Sequence, residues 1–98
     1  MAVTTKQVIY KYSLGKGPSS MGKIIDMPFG AHILDVQMQH GNITLWAVVE
    51  ENSTDIRPRT FVILGTGWDF PRGRAFEHIA TVQDEFGYVW HIFEEPRY

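Results

Sequence analysis

Residues 32–49, HILDVQMQ-HG-NITLWAVV, constrain the fold more than any other stretch of the chain. Two runs of alternating apolar and polar residues flank His40-Gly41. Alternation of period 2 places every second side chain on one face of a strand. A glycine at such a short junction supplies the positive φ that a tight hairpin needs. The stretch therefore predicts a β-hairpin, and most of the remaining sequence has the same character. QVIYKYSL (7–14) alternates, with Val8, Tyr10, Tyr12 and Leu14 on one face. IIDM (24–27) is a short strand that ends at Pro28, where Pro-Phe-Gly turns the chain. TFVIL (60–64) is apolar on both faces, as a covered inner strand should be. HIATVQDE (78–85) and YVWHIFE (88–94) flank Phe86-Gly87 as a second hairpin.

Gly, Pro and Ser mark 15–23 as a loop, and the polar run 51–58 as another. Residues 1–5 and 96–98 are expected to fray. RAFEHIATVQDEF (74–86) also fits a helical period, with Phe76, Ile79, Ala80 and Gln83 on one side. An internal repeat favours strand. His32-Ile33-x-x-Val36-Gln37 with Gly41 and Ile43 matches His78-Ile79-x-x-Val82-Gln83 with Gly87 and Val89 at an offset of 46 (78 − 32). The second arms match at an offset of 44, Trp46 with Trp90 and Glu50-Glu51 with Glu94-Glu95. The expectation is one all-β or mostly-β domain, a small antiparallel sandwich or barrel with two similar hairpins, and at most one helical turn near 75–78.

Alternation assigns faces. Leu34, Val36 and Met38 are expected in the core with Ile43, Leu45, Ala47 and Val49. In the second hairpin Val82, Val89 and Phe93 are expected inside, with Ile79, Tyr88, Trp90 and Ile92 turned away. Both hairpins then carry a second face too apolar for open water. The other sheet, a helix or loop of the same chain, or a second subunit must cover it; a homo-oligomer is favoured, with Trp46, Tyr88, Trp90 and Ile92 at an interface with a second copy or with another protein.

Net charge limits the function classes. The chain has 9 basic and 11 acidic side chains, a formal charge of −2. A general nucleic-acid coat carries a basic surplus, so that class is set aside. There is no cysteine, which removes disulfides and thiolate metal sites. No run approaches the ~18 apolar residues of a membrane span, and the first residues lack a signal-peptide apolar segment. These features fit a cytoplasmic protein.

MPFGAHILDVQ (27–37), LWA (45–47), GTG (65–67) and WHIFE (90–94), in that order, resemble a family of small bacteriophage- and prophage-encoded proteins of unknown function. The resemblance spans most of the chain after residue 24. It implies an infected bacterial cytoplasm and an accessory role, and it brings no activity or catalytic residue with it.

FVILGTGWDFPRGR (61–74) holds the one motif that invites a ligand. Gly65-Thr66-Gly67 lacks the lysine and spacing of a Walker loop, and lacks the third glycine of a dinucleotide fingerprint. As structure it is a bulge or tight turn after a strand. As a site, its backbone N–H groups would face an anion. Arg59, Arg72 and Arg74 would grip a phosphate through forked donors, while Trp68 or Phe70 stacks on a base. The favoured expectation is a non-enzymatic counter-defence protein that binds a small nucleotide-type anion there. The alternative is an inhibitor that binds a host protein through an apolar and aromatic sheet face. His32, His40, His78 and His91 show no metal-ligand spacing, and no metal or cofactor is expected. Asp26, Asp35, Asp69, Glu77 and Asp84 form no acid–base pair by spacing, and there is no Gly-x-Ser-x-Gly elbow, so no enzyme is expected.

Overall fold

The computed structural model describes residues 6–96. The fraying expected of 1–5 and 97–98 lies outside the described residues. Seven strands follow one another: β1 (Gln7–Ser13), β2 (Ser19–Pro28), β3 (His32–Gln39), β4 (Asn42–Glu50), β5 (Ile56–Gly65), β6 (Glu77–Gln83) and β7 (Val89–Glu95). They form two antiparallel sheets, ordered β1-β4-β3 and β2-β5-β7-β6. Inward side chains of both sheets share one core, including Val36, Ile43, Leu45 and Ala47 from the first and Met27, Phe61, Ile63 and Ile92 from the second. The all-β sandwich is as the alternation predicts.

The expected helical turn near 75–78 is not formed. Glu77 and His78 already pair with Glu94 and Phe93 of β7. The loops are also shorter than composition suggests. Residues 19–23 belong to β2, and 56–58 to β5. β2 is an edge strand, where Ser and Gly are tolerated because one side pairs with nothing. Gly22, at φ 107, sits where two extra residues bulge between Ser19 and Lys23.

His40 (φ 51) and Gly41 (φ 77) close the first hairpin as a two-residue turn with positive φ at both positions. This is the turn whose twist matches that of paired strands. Upstream, β3 carries an extra residue. Ile33 pairs with Ala47 and Asp35 with Trp46, so Leu34 has no partner. The bulge reverses the parity of the strand before it. Ile33 packs on the core instead of Leu34, which is 47% exposed. β6 repeats the device at its own start, where His78 pairs with Phe93 and Ala80 with Ile92. Ile79 thereby packs on the core as well. Both bulged strands are sheet edges, and they lie against each other where the two sheets meet.

In β7 the expected faces are inverted. Val82 pairs with Trp90 and Ala80 with Ile92, so Trp90 and Ile92 point inward with Val82. Val89, His91 and Phe93 point outward. The second-arm match therefore fails in register. Trp46 lies opposite Asp35 on the outer face, whereas Trp90 lies opposite Val82 on the inner one.

The outward face of the four-stranded sheet is covered by the chain itself. β5 and β6 are both antiparallel to β7, which lies between them, so they are parallel to each other and need a crossover. Residues 66–76 make it. The Phe70 and Phe76 rings lie 5.2 and 6.2 Å from the Phe93 ring, edge-on. Val62, paired with Phe93, and Leu64 are buried beneath this layer. Aromatic residues are thus required in a segment that composition marks as a loop.

Candidate functional site

Gly65-Thr66-Gly67-Trp68 forms a β-turn at the end of β5. The Trp68 N–H donates to the Gly65 carbonyl at 3.3 Å, and Gly67 has φ 85. Positive φ at the third position alone is the mark of a type II turn, where glycine is favoured. Gly65 is needed for another reason. Its φ is ordinary, but a Cβ there would lie 2.7 Å from Trp68 Nε1. The turn folds the indole back over the glycine.

This places Trp68 beside two rings from the second hairpin. Its centroid is 6.0 Å from that of Trp90 with planes at 82°, and Tyr88 is 6.0 Å from Trp90 at 33°. The three rings, with Gly65, Thr66 and Gly87, line a cleft of about 490 Å³. Trp90 is held from behind. Its Nε1 donates to Asp84 Oδ2 at 3.1 Å, while Asp84 Oδ1 accepts the backbone N–H groups of Phe86 and Tyr88 at 2.9 and 3.0 Å. One carboxylate thus fixes the indole and the loop that carries Tyr88.

Arg59 and Arg74 are held away from this turn. Arg59 lies six residues from Gly65 along β5, about 20 Å at strand spacing. It points inward at the other end of the sandwich. Its Nε and Nη2 donate to Glu94 at 2.5 and 2.7 Å, and its Nη1 donates to the Ala31 carbonyl at 2.7 Å. Arg74 pairs with Glu95, at 2.7 and 3.0 Å, and stacks on Phe76. Glu95 lies opposite Thr60, five residues from Gly65 and so roughly 17 Å from the turn. Arg57 forks onto Asp55. The hydrogen bond from Arg74 holds the Glu95 carboxyl below its usual pKa, and Asp55 is lowered in the same way by Arg57. Arg72 makes no ion pair or hydrogen bond among the described residues. A phosphate at the turn would meet aromatic rings and backbone, without the grip of Arg59 and Arg74 that the sequence suggests.

The expected interface residues are likewise separated. Ile92 is fully buried in the core, whereas Trp90 packs on the core and also lines the aromatic cleft. Trp46 lies on the outer face of the three-stranded sheet, and Tyr88 lies at the aromatic cleft, 62% exposed.

One arrangement escaped residue spacing. Thr66 Oγ1 lies 2.8 Å from His91 Nε2, His91 Nδ1 lies 3.1 Å from Thr81 Oγ1, and Thr81 Oγ1 lies 2.9 Å from His78 Nε2. These four groups cross the outer face of the sheet as one chain of hydrogen bonds. It closes in either direction, since each hydroxyl and each imidazole offers one donor and one acceptor. The signal for it is register: Thr81 faces His91 only when β6 and β7 pair as they do. The far nitrogen of His91 meets a hydroxyl where a nucleophile–base pair would have an orienting carboxylate. Among the described residues no cluster of three His, Asp or Glu side chains has the geometry to hold a metal ion, and no helix is long and apolar enough to cross a membrane.

The family match spans residues 5–98. The chain belongs to the family described as Domain of unknown function (DUF7352). No curated protein and no solved structure matches it. The match covers both sheets, the crossover and the aromatic cleft, so all of these are parts of the family domain.

Proposed function

We propose that this member of the family is a non-enzymatic accessory protein that acts by binding another protein, with the cleft between the Gly65-Thr66-Gly67 turn and the β6–β7 loop at the centre of its contact surface. The resemblance to phage-encoded proteins supports a setting in an infected bacterium, and inhibition of a host defence protein as the role. One observation carries the choice of partner class. Trp68 and Tyr88, 49% and 62% exposed, flank a Trp90 that is fixed by hydrogen bonding, and no lysine or arginine lines the cleft. Exposed aromatic rings on a rigid base are what dominate protein interfaces. A small anion would be better served by cations, and Arg57, Arg59 and Arg74 are bound to carboxylates elsewhere.

The test is affinity capture from the bacterial host with wild type, with Trp68→Ala/Tyr88→Ala and with Leu34→Asp as a surface control. A host protein retained by wild type and the control, and lost by the double variant, is the expected result. A thermal-shift screen of cyclic and linear nucleotides is the opposing arm. A ligand at 100 times its Kd adds ~2.7 kcal/mol of stability. A nucleotide shift that the double variant abolishes, with no captured protein, would return the site to the nucleotide class.

A further inference from the structure

The cleft has a charge preference that follows from its walls. Trp90 and Trp68 stand nearly perpendicular, at 82°, and form a corner, with the Tyr88 ring 6.0 Å from Trp90. The face of an aromatic ring is the negative end of its quadrupole. A cation seated in such a corner comes within the ~6 Å of ring centroids at which this attraction operates. The hydrogen bond from Trp90 Nε1 to the Asp84 carboxylate polarises the indole in the same sense, leaving its face more negative. The Asp84 carboxylate itself lies behind Trp90, outside the lining of the cleft. The lining residues are Gly65, Thr66, Trp68, Gly87, Tyr88, Val89 and Trp90, and none of them is cationic. An anion entering here would meet ring faces and no cationic side chain. A cation would meet the negative faces of the rings.

We propose that the cleft is a cation site, and that its occupant is the ammonium or guanidinium group of a lysine or arginine side chain on the bound protein. This rests on the protein-binding reading of the cleft and specifies the chemistry of the partner. A basic side chain fits in a second respect. Its aliphatic stem lies against Trp68 while the charged head reaches the Trp90 face, so both parts of an amphipathic side chain are matched. Thr66, whose hydroxyl is hydrogen-bonded to His91, lies at the rim and offers an oxygen to an N–H donor.

The experiment uses choline and its uncharged isostere 3,3-dimethylbutan-1-ol, titrated into the full-length protein and followed by tryptophan fluorescence and by indole N–H NMR shifts. The two probes have nearly the same shape and apolar surface, so the difference reads the charge. Choline is expected to bind about tenfold more tightly than the isostere. Trp68→Leu and Tyr88→Leu should each weaken choline by severalfold or more with an unchanged thermal midpoint, and Trp68→Phe should recover part of the loss because a ring face is restored. Equal binding of the two probes would overturn the cation assignment, as would no choline binding to wild type or a response that the variants leave intact. If choline fails while host-protein capture still depends on Trp68 and Tyr88, the cation assignment falls and the protein-binding reading stands. If choline binds as described and no protein is captured, the cation site stands and the protein-binding reading falls.

Discussion

Arg59→Met is the substitution that best separates a structural arginine from a ligand-gripping one. Arg59 and Glu94 have side-chain exposures of 23% and 13%, and the guanidinium closes on the carboxylate with two bonds. Removing one partner of a buried pair costs about 3–5 kcal/mol, chiefly because a charge is left without compensation. Water reaches this pair in part, which brings the expected loss to about 2–3 kcal/mol. The Ala31 carbonyl also loses its donor, a further ~1 kcal/mol. The sum, about 3–4 kcal/mol, is a large share of a typical domain stability of ~5–15 kcal/mol. It lowers Tm by roughly 12–30 °C for a domain of this size. The double change Arg59→Met/Glu94→Leu removes the stranded carboxylate and should recover most of the loss, leaving about 1 kcal/mol for the Ala31 carbonyl. Urea unfolding followed by circular dichroism measures all of these. Two results would refute the reasoning. One is a single variant within ~0.5 kcal/mol of wild type, the range of an ordinary surface change. The other is a double variant no more stable than Arg59→Met.

Gly65→Ala tests the turn. Ordinary backbone at Gly65 accepts alanine, but the new Cβ collides with the Trp68 indole. Trp68 is half-exposed and should swing away, so the domain stays folded while choline binding is lost and tryptophan emission shifts to the red. Unchanged emission and binding would show that the ring does not need the glycine. Tyr12 tests the alkaline limit. Burial, and secondarily Tyr10, raises its pKa above the usual 10.0. Its contribution is therefore complete below pH 10 and lost as pH rises through the folded value. Tyr12→Phe should flatten the fall in urea midpoint above pH ~10, and a fall as steep as that of wild type would assign it to other groups.

Parts of this architecture are legible in particular residues. The hairpin at His40-Gly41, the inner strand around Phe61–Leu64 and the pairing of β6 with β7 follow from alternation and glycine placement, because both act over a few neighbouring residues. Ser19–Lys23 is not legible as strand, since an edge position asks little of composition. The cleft is half legible. Gly65-Thr66-Gly67 and Trp68 stand out as a turn bearing an aromatic ring, but Tyr88 and Trp90 join them only through the β5–β7 pairing.

The remaining errors share one cause. Period 2 specifies which residues alternate, and leaves open which alternate set faces inward. A single unpaired residue, Leu34 in β3 or Ile79 in β6, reverses that choice for the segment before it, and a shift of one in pairing sends Trp46 outward and Trp90 inward. Chain neighbours also mislead where a crossover intervenes. Arg74 follows the Gly-Thr-Gly turn closely in sequence, yet the crossover carries it across β7 to Glu95 at the far end of the sheet. The chain by itself determined an all-β protein with tight hairpins and an aromatic turn. Which faces are buried, which arginines are bound to carboxylates, and that three rings meet over Asp84 were decided by long-range strand register, because those energies depend on partners that no local stretch of sequence contains.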